Sequence, residues 1–558
     1  MASVRGKRGG SASRAAAATV TFLALALLVL SGSRISKWRS PGRQEQPHSQ
    51  AHVSAEGNAS VSSPLSSSSG KSGGAQAGAA AAAECRLPSW RDSPSVADAA
   101  WYKPALNRRQ LSRGIVSHGA QGRARRALAQ LLRGEPLSVT VLGGSCSYVW
   151  PGAENWATLT FKWIRDTFPG AQHRLKNSAI PATPSSYMSL CSAWHVPDDV
   201  DLIFVEYNVN DMQGIQLPLR KAHERLLRKL LALPKRPAVV ELLVYRWPGM
   251  RVEGYDEGWE DLESPYRYYG GDDENTVLAN YYALPLLTGR SLLWPLMTLN
   301  EKNLSTQGWN WQPYQENLDH PNARGQALYA DMVIEWLQQT LEHLTLHPLD
   351  SADEEEAAEA LLPPLYKGNF AARTNTCLMG EQFSAAVKGH EGFAFVDEGK
   401  PGKPKTGWVA TQPGSWLEFE VNTKQVAAED GQPTIAVAIA HLTSYAHMGQ
   451  ANVSCVGGCT CEGVTIEGHL PEHHSQTVLT NVEVSTAEVC RLRVTVLPTS
   501  TSPDGEHKVK ISGVVLSEVA GWTITDAVED LPVLYGAQQG DVRWSDKGHD
   551  RDAPSEDR

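Results

Sequence analysis

Hydrophobic and polar positions divide the chain into a region of alternating strands and helices and a later region of short strands. Between residues 95 and 345, the apolar runs LSVTVLG (137–143), DLIFVEY (201–207) and AVVELLVY (238–245) alternate with segments of helical periodicity. The helical segments are 154–168, 216–233 and 322–344. Strands that are apolar on both faces are typical of a parallel sheet covered by helices on both sides. We therefore predict an α/β domain over 95–345.

The pattern changes after an acidic linker, 346–368, which contains DSADEEEAAEALLPP and is expected to be solvated or a short helix. From 369 to 525, short apolar stretches such as TIAVAIAHL and CRLRVTVL are separated by Gly, Pro and Ser residues. This spacing predicts an all-β domain, most simply a sandwich. Residues 526–558 are polar and charged, and we expect a tail without fixed structure.

The N-terminus carries a targeting signal. Basic residues in 1–14 precede an apolar segment at 15–32, and further basic residues follow it. The flanking charge places the N-terminus in the cytosol, and the short apolar length suits the thin membranes of the early secretory pathway. We expect a single-pass type II anchor with the rest of the chain luminal in the Golgi or endoplasmic reticulum. A cleaved signal peptide and secretion are the alternative. Residues 33–94 are rich in Ser, Gly and Ala and are expected to form a disordered stem.

Cysteine and asparagine motifs agree with a luminal location. The stretch CVGGCTC (455–461) could bind a metal, but an oxidising lumen favours disulfides. The C-terminal cysteines concerned are Cys377, Cys455, Cys459, Cys461 and Cys490. Their pairing cannot be read from the sequence. Glycosylation is expected at the sequons of Asn58, Asn303 and Asn452.

Polar clusters follow the predicted strands, where sites of open parallel sheets lie. The first is GGSCS (143–147), in which Ser145 is a candidate nucleophile. The second is NSAIPATPSSY (177–187), and the third contains Asn208, Asn210 and Asp211. His320 stands just before the last helix, which Pro321 is expected to begin. Each cluster alone is more simply a turn or a surface histidine, but their combination and order predict an acyl-transfer site.

These blocks resemble the SGNH (GDSL-type) hydrolase superfamily. LGGS resembles its first block, with Gly144 where Asp is usual. NSAIPAT resembles the second block, NVND the third, with Asn208 in place of Gly, and HPNARG the last. The stretches NSAIPATPSSYMSLC, VEYNVND and SYAHMGQANVSCVGGCTC are similar to a eukaryotic branch found in algae, plants and fungi. The resemblance implies a flavodoxin-like three-layer α/β/α domain with a parallel sheet, followed by the sandwich-like domain.

The resemblance also implies catalytic roles. Ser145 would be the nucleophile and His320 the general base. The oxyanion hole would use the N–H groups of Ser145 and Ala182, where Gly is usual, and the side chain of Asn210. Supporting positions would be Asn177 and Asp211.

The acid of the triad is the departure from the family pattern. Asn317 stands three residues before His320, where the family has Asp. Glu316 or Asp319 could serve instead, as could a Ser-His dyad assisted by a backbone carbonyl. Cys146 is interpreted as a bystander, because a nucleophilic cysteine needs a histidine partner.

These features together predict a luminal serine esterase that acts on an acyl ester, such as an O-acetyl group, of a carbohydrate or lipid. Two alternatives use the same fold: an O-acyltransferase with the same site, and a catalytically silent glycan-binding protein. The expected membrane contact is the N-terminal anchor. The net charge of −10 gives no sign of a nucleic-acid partner, and neither a cofactor nor a metal is expected.

Overall fold

The computed structural model describes most of the chain between residues 88 and 517. The described residues are 88–150, 152–181, 183–211, 217–245, 271–298, 313–317, 319–367, 369, 374, 376–399, 405–424, 434–471 and 475–517. The predicted membrane segment at 15–32 and the predicted tail at 526–558 lie outside them. Within the described ranges, no helix combines the length and the apolar character needed to cross a bilayer.

A six-stranded sheet forms the centre of the first domain. Its strands are β1 (Ile115–Ser117), β2 (Ser138–Gly143), β3 (Arg174–Asn177), β4 (Leu202–Glu206), β5 (Ala238–Leu243) and β6 (Leu286–Thr288). Their order is β1-β6-β5-β4-β2-β3, with β1 antiparallel and the other five parallel. The parallel strands therefore follow the flavodoxin-like order, in which the direction of winding reverses between β2 and β4.

Helices cover both faces of this sheet. They are α1 (Arg108–Leu111), α2 (Gly122–Leu132), α3 (Trp156–Thr167), α4 (Ser185–His195), α5 (Leu217–Leu231), α6 (Gly271–Tyr281), α7 (Gly289–Thr298) and α8 (Ala323–Leu346). Because side chains alternate along a strand, Val141 joins the core formed with α2, α3 and α8, whereas Leu142 joins the core formed with α4, α5 and α6. The predicted three-layer α/β/α domain is confirmed.

The start of α8 differs from the prediction. Asn322 caps the helix, since its side-chain oxygen accepts hydrogen bonds from two backbone N–H groups of the first turn. The helix therefore begins at Ala323 and not at Pro321. Pro321 instead pairs with Gln315 in a short β-bridge, which closes the loop that carries His320.

The folded part of the chain begins earlier than the predicted stem boundary at residue 94. Trp90 is buried, with its ring 6.2 Å from that of Trp163 and 6.0 Å from that of Phe168. The end of the predicted stem 33–94 thus belongs to the core. The sequence signal for this burial was Trp90 itself, a large aromatic residue in a stretch of small and polar residues.

The acidic linker contains a short helix, α9 (Ser351–Ala358), capped by Asp350. Of the two predicted states of this linker, the structure shows the helical one. Asp353 of α9 accepts a hydrogen bond from buried Arg125 of α2 at 2.6 Å. This charge-assisted bond fixes α9 against the α/β domain.

The second domain is a sandwich of two antiparallel sheets. Its elements are β7 (Cys377–Met379), α10 (Glu381–Ala386), β8 (Val387–Glu391), β9 (Ala394–Asp397), β10 (Thr406–Ala410), β11 (Trp416–Val421), β12 (Thr434–Ser444), β13 (Gln450–Gly457), β14 (Val464–Glu467), β15 (Ser475–Ser485), β16 (Cys490–Val496) and β17 (Val509–Ser517). One sheet has the order β15-β12-β17-β10-β9, with β7 on β17, and the other has the order β14-β13-β16-β11-β8. Apolar residues from both sheets fill the space between them, which confirms the predicted sandwich.

A disulfide between Cys191 of α4 and Cys377 of β7 joins the two domains. Helix α4 also packs against β17. Small apolar residues of the sandwich, including Ala438 and Ala440, belong to the same buried cluster as Leu190 of α4. The two domains therefore share part of their apolar core.

The remaining disulfides lie within the sandwich. Cys455 bonds to Cys461, and Cys459 bonds to Cys490. These four sulfur atoms are paired with one another, so they are not available as the thiolate ligands that the metal alternative requires.

Candidate active site

The nucleophile candidate lies at the switch point of the sheet, immediately after β2. Gly144 separates Ser145 from the strand, and its backbone is approached closely by Asn210, which follows β4. A Cβ atom at position 144 would lie 1.8 Å from Oδ1 of Asn210. Glycine at 144 is therefore required for close packing: it lets the carboxamide of Asn210 lie beside the serine turn.

Ser145 and His320 are in direct contact. The Oγ atom of Ser145 lies 2.7 Å from Nε2 of His320, although the two residues are 175 positions apart in the chain. The loop around His320 is closed by backbone hydrogen bonds from Glu316 N to His320 O and from Asn322 N to Tyr314 O. This closure fixes the imidazole over the nucleophile turn.

Asn317 fixes the tautomer of His320. Its Oδ1 atom lies 2.9 Å from His320 Nδ1 and accepts backbone hydrogen bonds from Asp319 and His320 at 2.9 and 3.0 Å. Only the oxygen of the amide can accept two N–H donors, so its orientation is settled by the loop itself. Nδ1 of His320 must then carry the proton. Nε2 is left as the acceptor for the Ser145 hydroxyl, as a general base requires.

The carboxylate alternatives do not reach this relay. Both ring nitrogens of His320 are occupied, one by Ser145 and one by Asn317, so none is left for Glu316 or Asp319. Glu316 is exposed, and Asp319 contributes its backbone oxygen to Cys146 at 3.3 Å. The structure thus brings together Ser145, His320 and Asn317 from the predicted set.

We expect Asn317→Ala to lower kcat for ester hydrolysis by about 10³-fold, since the wrong imidazole tautomer costs about 10⁴ in a serine protease. Asn317→Asp should instead raise kcat by about tenfold, because a carboxylate keeps the three acceptor contacts and stabilises the imidazolium better than an amide does. Steady-state kinetics of both variants against wild type test this. A kcat unchanged in Asn317→Ala would contradict a role for Asn317.

The described candidates for oxyanion donors are the backbone N–H of Ser145 and the side chain of Asn210. The N–H of Ser145 has no hydrogen-bond acceptor among the described residues, which leaves it available to a ligand. The side chain of Asn210 packs against Gly144, and its Oδ1 atom is buried without a donor in that part of the chain. Ala182, the third predicted donor, lies outside the described residues.

Ser147 anchors the far side of the nucleophile turn. Its hydroxyl donates to Glu206 Oε2 at 2.8 Å and accepts from Trp156 Nε1 at 3.1 Å. Its carbonyl oxygen accepts from the amides of Asn155 and Asn177 at 2.7 and 2.8 Å. Asn177 therefore holds the backbone of the turn through its side-chain amide.

Two further residues of the third block hold neighbouring loops. Asn208 exchanges two hydrogen bonds with the backbone of Val244 after β5, at 2.7 and 3.0 Å. Asp211 accepts a hydrogen bond from the backbone N–H of Ser185 at 2.8 Å. Asn208 thus has a structural reason to replace the usual glycine.

Sequence reasoning missed residues that tie the site together across long distances. Gln326 of α8 donates to the carbonyl of Cys146 at 3.0 Å and accepts from the N–H of Trp156 at 2.9 Å. Nothing local in the sequence distinguishes this glutamine. Glu206 did carry a signal, because a charged residue inside an otherwise apolar strand needs a buried partner.

Glu206 makes the stability of the turn depend on pH. Burial raises its pKa to about 8, so the folded protein keeps a proton that the unfolded chain releases near pH 4.5. The stability contributed by neutral Glu206 is therefore lost as the pH rises through about 8. Glu206→Gln stays neutral and keeps an acceptor for Ser147, so its Tm should rise relative to wild type between about pH 5 and about pH 9.

The matched control for this series is Glu135→Gln. Glu135 is an exposed carboxylate whose hydrogen bonds from Arg133 lower its pKa, so its variant should show no such gain. Parallel Tm curves for Glu206→Gln and wild type across this pH range would contradict the assignment.

Of the predicted glycosylation sites, Asn452 lies on β13 and is partly buried. Asn58 and Asn303 lie outside the described residues.

Comparison with solved structures identifies the architecture. No family model matches the sequence, and no curated protein matches it significantly. The structure is similar to a two-domain esterase (CEX) active on acetylated mannans, co-crystallised with mannopentaose. The match covers 75% of this chain and all of that one, with 17% identity and a TM-score of 0.51. A second crystal structure of that esterase gives 18% identity, 74% and 99% coverage and the same TM-score.

This chain has the fold of that two-domain esterase. The match runs through both the α/β domain and the sandwich, since it spans the whole length of the esterase. The fold class expected from the resemblance to SGNH hydrolases, with its C-terminal β domain, is therefore confirmed.

Proposed function

We propose that this protein is a serine esterase that removes acetyl groups from a polysaccharide. The observation that carries the proposal is the hydrogen-bonded series from Asn317 through His320 to Ser145 at the switch point of the sheet. Its order and protonation suit general-base activation of a hydroxyl nucleophile. Similarity to an esterase active on acetylated mannans supports acetylated carbohydrate over lipid as the substrate class.

The chemistry begins with attack of Ser145 Oγ on the acetyl carbonyl carbon, while Nε2 of His320 takes the hydroxyl proton. The resulting oxyanion accepts hydrogen bonds from the N–H of Ser145 and the amide of Asn210. Collapse of this intermediate breaks the ester bond, and His320 returns the proton to the departing sugar oxygen. Water then attacks the acetyl-enzyme with His320 again as base, which releases acetate and restores Ser145.

We also propose that the reaction takes place in the lumen of the secretory pathway or outside the cell. The paired cysteines of both domains suit an oxidising compartment. The apolar segment at 15–32 with its basic flanks supports delivery to that side.

The decisive test is acetate release by the full-length protein. Acetylated mannan and acetylated xylan serve as substrates, and the same polymers after chemical deacetylation serve as controls. We expect free acetate from at least one acetylated polymer and none from the controls. Absence of acetate from all polymers and from a simple aryl acetate would contradict the proposal and favour the glycan-binding alternative.

A second arm separates hydrolysis from transfer. The protein is incubated with an aryl acetate as donor and mannopentaose as acceptor, and the products are examined by mass spectrometry. Free acetate with unmodified mannopentaose is the expected result. Acetylated mannopentaose as the main product would instead assign the same site to an O-acyltransferase.

A further inference from the structure

His223 of α5 lies between two acidic side chains, one of which belongs to Asp211, the residue after Asn210. Its Nε2 atom is 2.8 Å from Glu241 Oε1, and its Nδ1 atom is 3.4 Å from Asp211 Oδ2. All three side chains are buried, with His223 only 1% exposed. The mechanism above uses none of these charges, so their presence at this position needs a reason.

The geometry favours an imidazolium at His223, because each ring nitrogen faces the side-chain oxygen of an acidic residue. Burial lowers the pKa of His223, but the nearby carboxylates of Glu241 and Asp211 outweigh it and raise the pKa to about 10. The residue is therefore positively charged throughout the neutral range.

Asp211 connects the loop that carries Asn210 with the start of α4. It directly follows Asn210, and its Oδ1 atom accepts the N–H of Ser185 at the start of α4. The loop that precedes α4 is held at its other end by a hydrogen bond from Ile180 N to Gly143 O at 2.9 Å. Movement of Asp211 would therefore disturb both Asn210 and the start of α4.

We propose that His223 is a positioning residue for the oxyanion hole, which it serves by neutralising the Asp211 carboxylate. The Asp211 carboxylate holds the start of α4 through its hydrogen bond with Ser185. Its negative charge would, however, destabilise the oxyanion, because the proposed reaction develops a second negative charge close by. The positive charge of His223 offsets the charge of Asp211, so that Asp211 can keep this hydrogen bond without destabilising the oxyanion. The inference rests on the proposed serine mechanism, and it assigns a role to a residue remote from the reacting atoms.

Other ionisable groups face this cluster from the sheet. Glu241 projects from β5 and shares the charge of His223, and Glu206 projects from β4. Burial raises the pKa of Glu206 to about 8, and the charges of Asp211 and Glu241 add to that effect. Glu206 therefore keeps its proton at neutral pH and adds no charge to this cluster.

The rate of Ser145 labelling by a fluorophosphonate tests the inference without knowledge of the natural ester. We expect His223→Gln to lower the labelling rate by at least about tenfold. It should also lower kcat for an aryl acetate by a similar factor and leave KM within about twofold, since only the transition state carries the new charge. The matched control is His441→Gln in the sandwich, a buried histidine bonded to the hydroxyl of Thr480, which should label at the wild-type rate.

A triple variant separates charge from shape. Asp211→Asn, His223→Gln and Glu241→Gln together replace the ions by neutral side chains, and Asn at 211 keeps an acceptor for Ser185. Its labelling rate should return to within about threefold of wild type, because replacing a whole buried ion group is far less costly than removing one member. This variant also decides the matter if His223→Gln does not fold.

Three results would overturn the inference. A folded His223→Gln that labels as fast as His441→Gln excludes a role for the charge, and a triple variant slower than wild type by tenfold or more excludes neutralisation as that role. Wild-type protein that takes no label would remove the proposed serine mechanism, and the inference with it. The first two results leave the proposed function intact.

Discussion

Ser145→Ala is expected to abolish both fluorophosphonate labelling and acetate release. Ser145 Oγ is the atom that His320 Nε2 approaches at 2.7 Å, and alanine removes it without disturbing the glycines of the turn. In a serine protease the loss of the nucleophile lowers kcat by about 10⁶-fold. We expect a decrease of the same order, measured as acetate release and as probe incorporation in the folded variant.

Cys146→Ala is the matched control, because the neighbouring thiol is the other nucleophile that the sequence offers. Its Sγ atom is buried and directed at the backbone oxygen of Asp319, away from the imidazole. The variant should keep the label, with a small loss of thermal stability from the cavity. Labelling that survives in Ser145→Ala and disappears in Cys146→Ala would reverse the assignment.

Asn210→Ala should also produce a large effect, a decrease in kcat of about 10²- to 10³-fold with little change in KM. The reason is that, in the proposed mechanism, its amide N–H stabilises the charge of the tetrahedral intermediate and contributes little to the ground state. Kinetics on an aryl acetate separate the two parameters. Asn422→Ala, the same replacement in the sandwich, provides the baseline.

Asn210→Asp sharpens this prediction. A carboxylate at 210 has nearly the shape of the amide, but it would repel the oxyanion, so kcat should fall below that of Asn210→Ala. Equal activity of Asn210→Asp and wild type would exclude Asn210 from the oxyanion hole.

The layers of the fold could be predicted because their signals are local. Strands β2, β4 and β5 are mostly apolar along both of their faces, which indicates burial on both sides, and α8 shows clear helical periodicity. The predictions of element boundaries that were wrong concern residues whose placement depends on tertiary contacts. Trp90 looked like part of a flexible stem, since the aromatic residues that bury it, Trp163 and Phe168, lie more than seventy positions away.

The candidate site was predictable to the extent that its residues occupy strand ends. Ser145 and Asn210 were placed by the ends of β2 and β4, and His320 by the start of the last helix. The triad acid was not predictable, because it depends on which way a five-residue loop turns its side chains. In the structure the residue beside His320 Nδ1 is Asn317, whose oxygen is oriented by the backbone of its own loop.

The bond between Cys191 and Cys377 has a consequence for biosynthesis. Helix α4 belongs to the first domain, yet the cysteine that its Cys191 bonds to is translated 186 residues later. Until the sandwich has been made, Cys191 has no Cys377 to pair with and part of the apolar surface of α4 is uncovered, a state in which chains are prone to aggregate. The α/β domain is therefore a poor candidate for expression by itself, and oxidative folding catalysts should act on the whole chain after translation has passed the second domain.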